Sequence, residues 1–472
     1  MTAGAPTRAL RPIEAAINRA AGARPIPGNR VHLLLDGPGA YEAMLAQIAG
    51  ARRWIHLENY IFRDDGIGRR IAEALCARAR DGVAVRVLYD WLGSFSTSRR
   101  FWRELRSAGV EVRSFNPPHP LQVFANLTRN HRKLLVTDGA CAVTGGQCIG
   151  DEWLGDQARG LAPWRDTGVE IAGPAAAALD AAFAVTWRAS GGTLPQGEAP
   201  PAVAAVGDAE IRVVAGEPGR ERAYRTLEYL TAGSLERLWI TDAYLVPPPR
   251  LFQALLDAAR DGADIRLLVP GTSDIPIVRN LTRIGYRRLL RAGIRIYEWE
   301  GPMLHAKTMV ADGRWARIGT SNLNASSLLG NYEVDVLIED PEFAAEMEAL
   351  FRRDLDQSLE VERRVRGSGR FQQVMPTGLK RRRSGPAPVH RSRSRRQFRG
   401  RAAIAARTLV SAARRSVYGP VSLILVTLGT LFLVLPRTTA YLFGLVCVWF
   451  ALAAGVEAFH RREGGNPRGR DG

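Results

Sequence analysis

Apolar residues recur along this chain with two periods, and segments of one period alternate with segments of the other. From Gly66 to Arg80 they fall at Ile67, Ile71, Leu75 and Ala79. That spacing lines one face of a helix and predicts a helix over the span, with the glycine that follows as its C-cap. Val83–Leu88 and Ala263–Val269 read as strands, each preceded by the same tetrad: Ala79-Arg80-Asp81-Gly82 and Ala259-Arg260-Asp261-Gly262. Further stretches repeat in the same order. Trp54-Ile55 leads to Tyr60-Ile61-Phe62 as Trp239-Ile240 leads to Tyr244-Leu245-Val246, and Ala108-Gly109-Val110 matches Ala292-Gly293-Ile294. Each half thus reads strand, helix, strand, helix, strand, and then one more strand. This alternation predicts an α/β fold of two pseudo-symmetric lobes with mostly parallel sheets, residues 28–194 and 205–361, after an N-terminal segment of residues 1–27. The Pro/Gly/Ala-rich stretch 191–206 is the expected junction.

Beyond Val361 the pattern changes. Lys380–Arg383 and Arg391–Arg396 are basic runs set among Ser, Gly and Pro, so residues 362–413 are expected to form a flexible basic linker. Ser416–Leu435 and Thr438–Val456 are almost wholly apolar, separated by Pro436-Arg437. Each run is about 19 residues, enough for one ~30 Å crossing, which predicts a C-terminal transmembrane helical hairpin over 416–456. Arg414, Arg415, Arg461 and Arg462 flank it, and by the positive-inside tendency both ends and the lobes are expected in the cytoplasm. Met1 to Gly28 lacks the pattern of a secretory signal peptide.

Composition narrows the partners. A hydrophobic share of 46% is that of a core-forming protein, and four cysteines without metal-type spacing speak against a disulfide framework or a zinc site. A net charge of +18 calls for a polyanionic partner. Because the arginine runs lie just before the apolar runs, an anionic membrane fits better than nucleic acid.

The extra strand of each half carries the chemistry. His131, Lys133, Asp138 and Gly145 share the spacing H-x-K-x4-D-x6-G with His305, Lys307, Asp312 and Gly319. In a strand, i and i+2 face the same way, so each histidine is expected to project beside its lysine. Lysine offers fixed positive charge to a phosphate, and neutral histidine offers a nucleophile or a proton carrier. Cleaving a phosphodiester needs one group to attack phosphorus and another to protonate the leaving alcohol; two such strands, meeting at the seam between lobes, would supply both. Asp138-Gly139 and Asp312-Gly313 read as turns, and these aspartates are expected to brace the catalytic motif.

The paired motifs resemble the HKD signatures of the phospholipase D superfamily. Within it, the bacterial cardiolipin synthases are most similar, on Glu58-Asn59-Tyr60-Ile61-Phe62, Asp90-Trp91-Leu92-Gly93-Ser94, Phe115-Asn116-Pro117-Pro118, Asn130-His131-Arg132-Lys133, Ile149-Gly150-Asp151-Glu152-Trp153 and Trp164-Arg165-Asp166-Thr167. The resemblance implies a phosphatidyltransferase acting on anionic phospholipid such as phosphatidylglycerol, through a covalent phosphohistidine and with neither metal nor other cofactor. His131 would be the nucleophile and His305 the acid and then the base; Lys133, Lys307 and Asn322 would hold the phosphate. Asp166 and Glu333, which open a second repeated stretch, would orient the histidines. One position departs: Cys148 stands where the second copy has Asn322 and where relatives usually carry Asn. Hydrolysis to phosphatidic acid, or nuclease activity, would use the same residues and remain the alternatives. The acceptor alcohol and the oligomeric state are not written in these motifs.

Overall fold

The computed structural model describes residues 10–118, 127–198, 202–362 and 372–374. Helix α1 (Leu10–Ala21) precedes a first lobe that runs β1 (Ile26–Leu35), α2 (Asp36–Gly50), β2 (Trp54–Asn59), α3 (Gly66–Arg80), β3 (Ala84–Asp90), α4 (Arg99–Ser107), β4 (Glu111–Phe115), β5 (Lys133–Thr137), β6 (Cys141–Gly145), α5 (Asp151–Leu154), β7 (Thr167–Ala172) and α6 (Pro174–Ala189). The second lobe repeats this order without the α5 turn. It comprises β8 (Ala209–Gly216), α7 (Arg222–Ala232), β9 (Arg237–Asp242), α8 (Pro249–Arg260), β10 (Asp264–Pro270), α9 (Pro276–Arg291), β11 (Arg295–Trp299), β12 (Lys307–Ala311), β13 (Trp315–Gly319), β14 (Glu333–Glu339) and α10 (Pro341–Leu355). It ends in β15 (Ser358–Glu362), and β16 (Gln372–Val374) follows.

The strands form a single sheet whose order reads the same from either end about the β1–β8 contact: β11-β10-β9-β12-β13-β14-β8 against β1-β7-β6-β5-β2-β3-β4. The two lobes are thus halves of one pseudo-twofold sheet. The expectation of mostly parallel sheets is overturned. Among the described strands, only β2–β3, β3–β4, β9–β10 and β10–β11 pair in parallel. These are the strands separated by helices, and a helical crossover returns the chain in the same direction. Strands β5–β6 and β12–β13 are joined by tight turns, which can join only antiparallel neighbours, and the longer links into β7 and β14 return the chain antiparallel again. At Asp138-Gly139 and Asp312-Gly313 both residues have positive φ, between 51° and 66°. This is the type I′ hairpin geometry that an Asp-Gly pair adopts readily.

The helix expected over Gly66–Arg80 has those bounds. Asp65 caps it by accepting from Gly68 N, Asp81 ends it, and the chain turns away at Gly82 with φ +90. Ile67, Ile71 and Leu75 are buried against the sheet. The core under the centre is shared by both lobes: Leu179 and Phe183 of α6 and Phe343 and Ala344 of α10 pack with Val136, Val169, Val336 and Ile338. Helix α1, first in sequence, packs on the second lobe, where Ile17 and Ala21 join Leu227 and Leu230 of α7. Arg132 is a further clasp. Fully buried, it donates from Nε to Glu333 O at 2.9 Å, and from its terminal nitrogens to Ala182 O and Gly216 O, beside the Glu58 carboxylate.

Within the stretch expected to be linker, Gln372–Val374 pairs with β15 as an edge strand. Backbone pairing asks little of side-chain hydrophobicity, so composition gave no sign of it. The expected hairpin at 416–456 and the rest of that linker lie outside the described residues. Among the described residues, no helix is long and apolar enough to cross a membrane.

Candidate active site

The two H-x-K segments meet where the halves of the sheet join. His131 and His305 each stand two residues ahead of their strands rather than inside them, which corrects the expectation of one continuous strand. Each is fixed by a backbone bond to the other lobe: His131 N to Tyr332 O at 2.9 Å, and His305 N to Arg165 O at 2.7 Å. The side chains cross in the same way. His131 Nδ1 lies 3.1 Å from Glu333 Oε2, and His305 Nδ1 lies 2.8 Å from Asp166 Oδ2. Each imidazole is therefore oriented by a carboxylate of the opposite half. With Nδ1–H donating to an acid, Nε2 is the nitrogen that carries the lone pair in the neutral ring.

The carboxylates are themselves held. Asp166 accepts from Trp153 Nε1 at 2.9 Å and from Thr167 N at 2.8 Å. Glu333 accepts from the hydroxyls of Thr320 and Ser327. The motif glycines follow from this crowding. A Cβ on Gly319 would sit 2.0 Å from Asp335 Oδ1, and one on Gly145 would sit 2.5 Å from Gly168 Cα. No larger residue fits at either position without displacing β14 or β7.

Lys133 and Lys307 lie buried beneath the histidines. Each ammonium donates to the backbone carbonyl of its own motif histidine and stands over a tyrosine ring, Tyr60 at 5.2 Å and Tyr244 at 5.8 Å. The same rings meet His131 and His305 edge-on. Tyr60 and Tyr244 were not singled out from sequence as site residues, although they end the repeated Trp-Ile…Tyr segments and that pairing could have flagged them. Trp153 and Trp164, which pack against His305, were likewise missed.

Burial sets the protonation states. It pushes His305 down to about 4, with Lys307 adding to the effect and Asp166 opposing it. His131 is lowered too, chiefly by burial. Burial also brings Lys307 down to about 8 and lowers Lys133. For the acids, burial works the other way, yet His305 and Lys307 hold Asp166 below the usual carboxylate value, and His131 and Lys133 do the same for Glu333. Desolvation thus favours the neutral form of both imidazoles, while Asp166 and Glu333 oppose it at the lysines.

The two histidines open on a cavity of 640 Å³ whose wall also includes Tyr60, Tyr244, Cys148 and Asn322. Asn322 Oδ1 is buried with no hydrogen-bond partner among the described residues. Cys148 occupies the equivalent place, buried, its thiol raised by desolvation. Asp138 and Asp312, grouped with the catalytic motif in sequence, do not line the cavity. They sit at the hairpin turns and accept three backbone N–H bonds each: Asp138 from Arg52, Arg53 and Trp54, Asp312 from Leu235, Glu236 and Arg237.

Two lobes of mixed α/β structure, each bringing one motif histidine to a shared cavity with its lysine buried beside it, define a phospholipase D-like protein. The family described as "Cardiolipin synthase, PLD-like domain" matches residues 44–153 and 228–355. Cardiolipin synthase A of Pseudomonas aeruginosa is 37% identical over 338 residues, covering 71% of this chain and 69% of that protein. The cardiolipin synthase of Geobacillus kaustophilus is 37% identical over 313 residues, covering 65% and 62%. The chain belongs to this cardiolipin synthase, PLD-like family. A likeness in fold alone extends to the crystal structure of a phosphatidylserine synthase from Haemophilus influenzae, with a TM-score of 0.59 and 16% identity over 84% of this chain and 99% of that one.

Proposed function

We propose that this chain is a cardiolipin synthase-like phosphatidyltransferase acting on phosphatidylglycerol. The observation that carries the reading is the reciprocal pairing of His131 with Glu333 and His305 with Asp166 at one cavity above two ammonium groups. In the first step Nε2 of His131 attacks phosphorus and the bond to the glycerol oxygen breaks. His305, which takes up a proton once the anionic phosphodiester is seated beside it, gives that proton to the departing glycerol. In the second step the hydroxyl of another phosphatidylglycerol surrenders its proton to His305 and attacks phosphorus, and the His131–phosphorus bond breaks. Lys133, Lys307 and Asn322 stabilise the charge that builds on the phosphoryl oxygens. Asp166 and Glu333 hold the rings in the required tautomer, and Asp138 and Asp312 brace the hairpins that carry the lysines.

The apolar runs at 416–435 and 438–456 are proposed to hold the enzyme on a membrane with its lobes on the cytoplasmic side, and the arginine runs ahead of them to meet anionic headgroups. The test is lipid mass spectrometry on phosphatidylglycerol vesicles incubated with the purified protein in EDTA. Cardiolipin with released glycerol is expected. Phosphatidic acid alone would make water the acceptor and the protein a phospholipase. Turnover that appears only on adding a divalent metal would overturn the phosphohistidine mechanism.

A further inference from the structure

The carboxyl ends of the parallel strands border the cavity in both lobes, and both carry large apolar side chains in water. In the second lobe Ile277, Leu281 and Ile284 are 69%, 47% and 74% exposed. Their i, i+4, i+7 spacing puts them on one stripe of α9, beginning just after Ile275, which is 42% exposed. In the first lobe the pseudo-equivalent loop between β3 and α4 exposes Leu92 at 48% and Phe95 at 57%. That loop is fastened beneath the cavity wall, since Ser94 Oγ donates to Tyr60 O at 3.1 Å. Scattered apolar residues on a surface need no explanation, but a contiguous stripe beside a cavity mouth does.

We infer that this double rim, the α9 stripe and the β3–α4 loop, docks on the surface of an anionic phospholipid bilayer and holds the cavity mouth against it. The inference rests on the phospholipid reading above and adds the surface that delivers the substrate.

Two observations select the lipid surface over other occupants. Ile275 and Leu281 belong at once to the cavity wall and to the exposed stripe. Anything seated on the stripe therefore also covers the entrance. A second protein surface there would shut the substrate out, whereas a bilayer that contains the substrate would bring it in. Charge agrees. The last turns of α9 expose Arg287, Arg288 and Arg291, and α4 exposes Arg99, Arg100 and Arg103, so both apolar edges are followed by cations. Apolar residues backed by arginines are the composition of a helix lying in the headgroup region.

The test uses the full chain with the double substitution Ile277→Ser and Ile284→Ser, at two exposed positions outside the cavity wall. Phosphatidyl transfer is measured on phosphatidylglycerol in reconstituted bilayers and on short-chain phosphatidylglycerol dispersed as monomers. Loss of two inserted isoleucines is expected to lower the bilayer rate roughly tenfold, with the monomer rate within about twofold of the unsubstituted protein. Phosphatidylglycerol with a photoreactive acyl chain is expected to label the peptide containing residues 275–284. Equal rates on bilayers, or equal losses on both substrates, would overturn the inference. So would protein–protein cross-links at 277–284 in place of lipid labelling, which would assign the stripe to a second copy or to the chain's own C-terminal segment. If the unsubstituted protein transfers phosphatidyl groups from neither form while lipid still labels 275–284, it is the substrate reading that fails and not the docking surface.

Discussion

Replacing Asp166 by Asn tests the cross-lobe pairing most directly. The side chain keeps its shape, and an amide oxygen can still accept from Trp153 Nε1, but the charge 2.8 Å from His305 is gone. Opposite unit charges at that distance interact by about 6 kcal/mol at an effective dielectric of about 20. The amide's residual hydrogen bond and solvent relaxation return part of this, leaving about 3–5 kcal/mol. That term stabilises only the imidazolium form of His305, the form that protonates the leaving glycerol in the proposed mechanism, so the loss is expected to fall on kcat. A decrease of about 10²–10⁴-fold is expected, with little change in KM. It would be read from initial rates of glycerol release on phosphatidylglycerol. Because Asp166 acts through His305, Asp166→Asn added to His305→Ala should cost almost nothing further. A single variant within about fivefold of the parent, or losses that multiply in the double variant, would refute the reasoning. A circular dichroism melt of each variant separates lost chemistry from lost fold.

Four other outcomes are expected. His305 is held at about 4 against an unfolded value of 6.5, so the native state resists the proton that the unfolded state accepts. Above the unfolded value both states are neutral and the group contributes nothing, whereas between about 6.5 and 4 stability must fall as pH falls; thermal melts should show this slope, and His305→Gln should flatten it. Arg132→Met leaves the buried Glu58 beside no guanidinium and unties three backbone carbonyls at the lobe junction, and urea unfolding should report a loss of about 3–5 kcal/mol. Asp312→Ala removes a side chain that accepts three backbone N–H bonds and does not line the cavity, so the melting temperature should drop by an amount equivalent to about 2–3 kcal/mol while kcat of the folded fraction changes by less than about twofold; a larger fall in kcat would put the aspartate in the chemistry. With a phosphodiester whose leaving group needs no protonation, His305→Ala should accumulate a phosphoryl adduct on the peptide containing His131. The same adduct on the His305 peptide of His131→Ala alone would reverse the order of the two steps.

Local pattern determined a good deal of this protein. The 3.6-residue spacing from Ile67 onward and the capping Asp65 define α3, and each Asp-Gly pair commits its hairpin to a positive-φ turn, because such choices depend on residues only a few positions apart. The duplicated H-x-K spacing likewise named both histidines and both lysines, since side-chain chemistry survives in sequence whatever the fold. Strand direction was not legible: helices between β2, β3 and β4 suggested a parallel sheet, but the β5–β6 and β12–β13 hairpins and the longer links into β7 and β14 reverse the chain and make antiparallel pairing the rule. Asp166 and Glu333 were expected to orient the histidines, but which acid meets which histidine came from the tertiary structure alone. Glu333 is 202 residues from His131, and Asp166 is 139 from His305. They meet only because β1 and β8 join the two half-sheets about a pseudo-twofold axis, which carries each acid across into the opposite lobe. Trp153, which packs against His305, became part of the site by the same closure, whereas Tyr60 and Tyr244 each meet the histidine of their own lobe. A contact between distant segments is fixed by which surfaces can be buried together, and no short window of sequence contains both of them.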